Sequence, residues 1–406
     1  MNKFCDEDIV IVSAVRTPFS KFDTVMKDIP SIDLARIVML EVLKRVNMTP
    51  GEVDEINYGI SILHETMLEG DVPARQASLM AGFPAEMISN TMNRACCSSL
   101  ATLRTSMYAI RAGEVKIAMS VGSDNMSRTP HLAPGVRWAS KIGSITLHDS
   151  LFELGYKKSR GFNPVSVDAG EVALKYGITR VMQDAYALRS QERYFAAQAA
   201  GKFDEELTPV TIPQKKGNPI VVKKDESPRH TSMEALAKLP TVYGSPTVTA
   251  GNAPPLSAGA TAVLFMIRSE AEKRGLQPMA MITDAVAAAT AASEIATIPA
   301  KTIQKALDRN GLTIDDMVLI EINEAFAAMP LVSLKILANG DEKKWQALQE
   351  KTNVNGGAIA IGHPVGASAG RITMNLAREL KRRGGGYGVA SICGGLAQGE
   401  AVILKV

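Results

Sequence analysis

Apolar positions along this chain follow two rhythms. Unbroken apolar runs of strand length occur at 9–15 (IVIVSAV), 116–124 (KIAMSVGSD), 279–289 (MAMITDAVAAA), 317–322 (MVLIEI) and 387–394 (YGVASICG). Between them lie stretches whose apolar residues recur every three or four positions, such as 31–47 (SIDLARIVMLEVLKRVN, with Ser31 as its N-cap) and 299–311 (PAKTIQKALDRNG). Continuous runs predict strands covered on both faces, and the 3.6-residue period predicts helices with one apolar stripe. Strands alternating with helices predict a layered α/β protein.

The pattern repeats. Residues 42–59 laid over 306–323 bring Leu43 onto Leu307, Thr49 onto Thr313, Glu52 onto Asp316, Val53 onto Met317 and Ile56 onto Ile320. Each reads as helix, short turn with Thr, acidic residue, strand. Residues 98–122 and 367–394 also agree in kind: a small-residue helix start, an amphipathic helix, a Gly turn and an apolar strand. Two matches in the same order predict an internal duplication. The expected division is a first half at 1–122 with 246–272, an inserted loop domain at 123–245 and a second half at 273–406. Pseudo-twofold packing of the halves would set the helix start after Cys96 against the one after His363, across a shared cleft.

Composition narrows the function. A chain of 406 residues suggests about two or three domains. A net charge of +3 gives no case for nucleic acid as the partner. The N-terminus has acids where a signal peptide has bases, and no run reaches the roughly 20 apolar residues of a membrane span. A cytoplasmic, membrane-free protein is expected. Four scattered cysteines (Cys5, Cys96, Cys97, Cys393) do not make a disulfide framework, and with no CxxC and no His at ligand spacing no metal is expected. The lysine-rich stretch 212–230 reads as a solvated loop or as a landing site for a phosphate-rich substrate.

Candidate chemistry gathers at strand ends and helix starts. A thiol at a helix N-terminus meets unpaired N–H groups and the macrodipole, which favour the thiolate, and an imidazole can activate it further. His363 stands out among five histidines because glycines flank it in NVNGGAIAIGHPVGASAG. Cys393 ends a strand and enters a Gly turn whose free N–H groups suit an oxyanion hole, and the amide of Asn323 follows another strand.

These blocks together resemble the thiolase superfamily of coenzyme A-dependent acyltransferases, nearly end to end. VIVSAVRTPFSKF is similar to the family's first strand and turn. NRACCSS resembles its nucleophile motif Asn-x-x-Cys-x-Ser-Gly, which selects Cys96 over Cys97. NEAFA, GHPVGAS and CGG resemble the other active-site blocks. The resemblance implies a duplicated five-layered α-β-α-β-α fold with an inserted loop domain. It implies Cys96 as the acyl-accepting nucleophile, His363 as its base, and Cys393 as the acid/base at the substrate α-carbon. One oxyanion hole would come from His363 and a water on Asn323, the other from the N–H groups of Cys96 and Gly395. Ala325, Phe326 and Arg229 are expected to touch substrate. Coenzyme A would be substrate and product, with no bound cofactor. A homodimer or homotetramer is implied, and a small accessory subunit is compatible with it.

Several positions depart from the family's pattern. Ser99 stands where the nucleophile motif has Gly and is expected to crowd the acyl pocket or alter the helix start. Leu396 and Ala397 replace two glycines after Gly395. Ala258 replaces an Asp, Pro254 and Pro255 replace small polar residues, and NPVSVDAGEVA stands where His-Met-Gly is usual. The four catalytic positions are intact. The expected reaction is thiolysis of a branched, aromatic or dicarboxylic 3-oxoacyl thioester, or the reverse condensation. The alternatives are an acetyl-CoA acetyltransferase that forms acetoacetyl-CoA, a decarboxylating ketosynthase on the same fold, and a non-catalytic acyl- or lipid-binding subunit.

Overall fold

The computed structural model describes residues 7–67, 69–138 and 142–406. Cys5 lies outside them. No helix among the described residues is long and apolar enough to cross a membrane.

The first half contributes strands β1 (Ile9–Arg16), β2 (Glu55–Gly59), β3 (Ile88–Met92), β4 (Ile117–Asn125) and β5 (Ser257–Ile267). The second contributes β6 (Ala280–Ala289), β7 (Met317–Ile322), β8 (Tyr387–Gly394) and β9 (Gln398–Lys405). With a two-residue strand at Ser20–Lys21 paired to β5, they form one ten-stranded sheet. Its path is β7-β8-β9-β6-β1-β5-β4-β2-β3.

The path repeats itself about its middle. Order β2-β4-β5-β1 matches β7-β8-β9-β6, the first pair parallel and the next two antiparallel in both halves. Each half carries a register shift at the same place, between Ile11 and Ser13 on β1 and between Ile282 and Asp284 on β6. The halves join where β1 meets β6 antiparallel through Ile9–Ile282, Val10–Met281 and Ile11–Ala280. The aligned turns also close alike. Thr49 N–H donates to Glu52 at 2.7 Å and Thr313 N–H to Asp316 at 2.7 Å, each within a capping box.

Five layers follow from which side chains face which helix. Met119 and Val121 on β4, with Ala262 and Leu264 on β5, pack beneath helix α1 (Ser31–Lys44). Their neighbours Ala118, Val263 and Phe265 point the other way, onto helix α2 (Ser98–Arg111). Helices α3 (Val165–Lys175) and α4 (Arg180–Ala199) come from the insert, and α5 (Ile298–Asn310) covers the outer face of the second half, over Ile320 and Ile403. Helix α6 (Ser368–Arg382) shares the middle layer with α2, against Ala390, Ile392 and Leu404. Because central strands are buried on both faces, they read as unbroken apolar runs.

Three expectations change. Ser31 is the first residue of α1 rather than its cap; Pro30 holds that position, and Glu65 accepts the Ser31 N–H at 3.1 Å. The boundary at 122 falls inside β4, which runs to Asn125. The insert is more than loop: α3 and α4 bury Ala169, Val172, Tyr186 and Ala187 in the core of the second half. Its charged stretch is an exposed hairpin (Val210–Ile212 with Ile220–Val222) whose end returns inside. There, buried Asp225 pairs with buried Arg16 of β1 at 2.6 Å, and Glu206 meets the same guanidinium at 2.7 Å.

Candidate active site

The turn that bears Cys96 is held in a shape that side chains resist. Ala95 has φ 50, in the left-handed region that costs an L-residue about 1–2 kcal/mol. Asn93 stabilises it, accepting the Ala95 N–H at 3.0 Å and donating to the Ser61 carbonyl at 3.0 Å. Ser61 in turn donates to the Ala95 carbonyl at 2.7 Å. Cys97 occupies the N-cap of α2 with its side chain fully buried, so it is packing. A Cβ on Gly394 would lie 2.8 Å from the Cys97 Sγ, so only glycine lets the strand β8 turn pass over it. Cys96, one residue before the cap, is half-buried and lines the cavity described below.

The second half delivers the imidazole. His363 Nε2 lies 3.2 Å from Cys96 Sγ. On its other side, Nδ1 lies 2.5 Å from Ser368 Oγ, and that hydroxyl donates to the Pro364 carbonyl at 2.8 Å. With its one proton so placed, Ser368 accepts from Nδ1–H, and the lone pair on Nε2 faces the thiol. The loop bearing His363 presses onto β4, where a Cβ on Gly122 would meet the Gly366 carbonyl at 2.2 Å. Asp124 locks this contact. Its carboxylate accepts from Ser61 N–H at 3.1 Å, Ile62 N–H at 2.8 Å and Gly366 N–H at 2.5 Å, tying the loop that braces the Cys96 turn to the loop after His363.

Burial sets the resting charge state. It pushes the Cys96 thiol well up, with Cys393 and Asp124 adding to the effect. Burial, then the charge of Arg371, lowers His363 to about 3, and burial raises Cys393 to about 12. The expectation that the helix terminus favours a Cys96 thiolate is therefore corrected. The pair rests as thiol and neutral imidazole, because desolvation outweighs the terminal N–H groups.

Cys96, His363, Cys393 and Gly395 open onto one cavity of about 480 Å³, with Ala325 and Phe326 on its wall. Neither the Cys96 nor the Gly395 N–H donates to a turn or loop carbonyl among the described residues. Asn323 does not line this cavity. It is fully buried, and both its amide atoms lack a partner within the chain. Arg229 stands one remove away, its guanidinium donating to the carbonyl of Ala250, which does line the cavity, at 3.1 Å. Sequence reasoning passed over Ser368, Asp124 and Glu324. The Glu324 carboxylate accepts from Tyr186, Ser190, Asn353 and the Ile359 N–H, pinning the strand end at Asn323 to the loop before His363. Ser368 lies inside GHPVGAS, but its bond to the ring needs the turn to be seen.

Residues 9–269 match the family model of the thiolase N-terminal domain and residues 276–406 that of the thiolase C-terminal domain. The chain belongs to the thiolase family. It is 39% identical over 400 residues to an acetyl-CoA acetyltransferase of Pseudomonas aeruginosa, covering 98% of this chain and 99% of the relative. An acetyl-CoA acetyltransferase of Cupriavidus necator is 40% identical over 400 residues, with 98% and 99% covered. Among solved structures, human mitochondrial 3-ketoacyl-CoA thiolase superposes with TM-score 0.91 at 35% identity, covering 98% of this chain and 99% of that one, and has also been solved in complex with CoA. The acetyl-CoA acetyltransferase of Bacillus anthracis gives 0.92 at 33% identity over 100% of both chains.

The departures of this thiolase now have physical readings. Ser99 does not crowd the pocket. It is buried between the two middle helices, and its Oγ accepts the Gly370 N–H at 2.9 Å, satisfying a donor in the first turn of α6. Leu396 and Ala397, in place of glycines, both keep φ 56, so the turn after Gly395 retains a glycine-like backbone under strain. Pro254 and Pro255 line the cavity. Nothing in the structure explains Ala258.

Proposed function

We propose that this thiolase cleaves a 3-oxoacyl-CoA with coenzyme A, and catalyses the reverse Claisen condensation, through an acyl-Cys96 thioester. The observation that carries the reading is the 3.2 Å approach of His363 Nε2 to Cys96 Sγ, with Cys393 in the same cavity. His363 takes the thiol proton as Sγ attacks the C3 carbonyl. The C2–C3 bond breaks, its electron pair passes to the acetyl-CoA enolate, and Cys393 protonates C2. Incoming coenzyme A gives its proton to the Cys393 thiolate and attacks the acyl-Cys96 carbonyl. Acyl-CoA leaves, and the Cys96 thiolate recovers its proton from His363.

Each stage places negative charge on an oxygen, which fixed donors stabilise most in a water-poor site. The N–H groups of Cys96 and Gly395 are assigned to the acyl tetrahedral intermediate. Protonated His363 and a water on Asn323 are assigned to the enolate; the unpartnered, buried Asn323 amide supports that role, since leaving it unbonded costs about 1–3 kcal/mol.

The apolar wall of Ile62, Met126 and Leu151 supports an acyl group bulkier than acetyl. Strand β3, at the end of the sheet and largely exposed, supports a homodimer joined through the first halves. The division into two halves and an insert belongs to the same reading, with the insert beginning after β4 ends at Asn125.

The test is mass spectrometry of the Cys96 peptide after brief mixing with a panel of acyl-CoA thioesters, with free coenzyme A followed in parallel. An adduct on Cys96 with matching thiol release, lost in Cys96→Ser, is expected. No adduct from any thioester on folded protein overturns the reading.

A further inference from the structure

The walls of the cavity say more about the acyl group than its size does. Among the described residues, no Lys, Arg, Asp or Glu lines it. One wall is the apolar cluster of Ile62, Met126 and Leu151, with Tyr156, Leu256 and Val365 packed against it. His363 is held neutral. A free carboxylate on the substrate tail would therefore lose its hydration with no cation to replace it. This separates the dicarboxylic substrates expected from sequence from the branched and aromatic ones.

Against this apolar background two polar groups stand unused. Ser61 and Asn93 line the cavity too, but their side chains are committed to the nucleophile turn. Tyr243 is half-exposed to solvent. Ser166, by contrast, is only 4% exposed, and its Oγ has no hydrogen-bond partner. The Tyr156 hydroxyl makes no hydrogen bond among the described residues; its ring packs 5.0 Å from that of Tyr243, and burial raises its phenol far above the usual value, so it stays a neutral donor. The two residues are neighbours. The Val165 N–H donates to the Gly155 carbonyl at 3.3 Å, which sets the chain just before Ser166 beside the chain just before Tyr156. A buried hydroxyl without a partner is unfavourable by about 1–3 kcal/mol, so the Ser166 Oγ is explained by a ligand that satisfies it, and the half-buried Tyr156, which lines the same cavity, offers a second donor.

Resting on the thioester chemistry proposed above, we infer that the acyl chamber receives an uncharged, largely apolar acyl group carrying one hydrogen-bonding oxygen remote from the thioester, held by Tyr156 and Ser166. A site built to bond a substrate oxygen discriminates strongly against the analogue that lacks it, because its own polar groups are then left unpaired.

The experiment uses 3-oxoacyl-CoA thioesters of matched length: all-carbon, hydroxylated at successive tail carbons, and ending in a carboxylate. At least one hydroxylated member is expected to exceed the all-carbon member about tenfold or more in kcat/KM, with the carboxylate below both. Tyr156→Phe and Ser166→Ala should each bring that ratio back toward one; general damage to the enzyme does not move a ratio. The inference is overturned if no hydroxylated member leads, if the carboxylate leads, or if both variants keep the wild-type ratio. Acylation of Cys96 without preference overturns the chamber alone, whereas no acylation by any member overturns the acyltransfer reading with it.

Discussion

Ser368 Oγ sits 2.5 Å from the Nδ1 of His363 while giving its own proton to the Pro364 carbonyl, so the hydroxyl decides which ring nitrogen faces Cys96. Removing it lets the ring rotate and exchange tautomers. Ser368→Ala is expected to slow acylation of Cys96 about tenfold to a hundredfold, with the KM for coenzyme A little changed. Single-turnover kinetics measure this, and Ser368→Thr, which keeps the hydroxyl, should recover part of the rate. Equal loss in both variants would mean that Ser368 only packs.

The neutral state of His363 has a consequence for acid stability. Its folded value of about 3 lies below the 6.5 of the free side chain. Between these values the unfolded chain binds the extra proton, so stability is lost as pH falls from 6.5 towards 3. His363→Gln removes that contribution. Urea unfolding at pH 7, 5.5 and 4.5 should show the variant losing less stability than the wild type, and parallel curves would refute a buried neutral imidazole.

Cys96 resting as a thiol predicts its response to iodoacetamide. Because burial raises its pKa, alkylation should keep climbing as pH rises above 7 instead of levelling off in the acid range. A rate already flat at pH 6 would reveal a resting thiolate and contradict the assigned charge state.

Arg16 sits at the seam between β1 and the insert, with Glu206 and Asp225 as its buried partners. Arg16→Ala leaves two carboxylates buried without their cation. A loss of about 3–5 kcal/mol is expected in denaturant unfolding. A change under about 1 kcal/mol would show that water reaches the acids and that the insert is not anchored there.

The turn after Gly395 holds strain at Leu396, whose φ is 56 and whose side chain is half-exposed. Leu396→Gly is expected to raise the unfolding free energy by about 1 kcal/mol, since relief of the left-handed backbone outweighs the added chain entropy. A lower Tm would point to packing by the leucine that offsets the strain.

Much of this protein was legible in the chain itself. The apolar runs located β1, β4, β6, β7 and β8 but not the central strand β5, and the match of Thr49 to Thr313 and Glu52 to Asp316 anticipated twin capping boxes. These are local features: a period, a cap and a glycine turn depend on residues a few positions apart, so sequence determines them. The candidate thiol Cys96, the imidazole of His363 and the Gly turn were likewise marked by their own short surroundings.

What tertiary structure decided is everything that depends on the duplication closing on itself. Cys96 and His363 are 267 residues apart, and only the packing of α2 beside α6 brings them to 3.2 Å. The same closure removes water, which is why Cys96 is a thiol when its place near a helix start suggested a thiolate. It also determines that Ser99 serves α6 instead of the pocket, that Asp124 joins two loops from different halves, and that Ser166 lines the cavity while its Oγ is buried with no partner. Burial and long-range hydrogen bonds set charge states and orientations, and neither quantity is a property of a short stretch of chain.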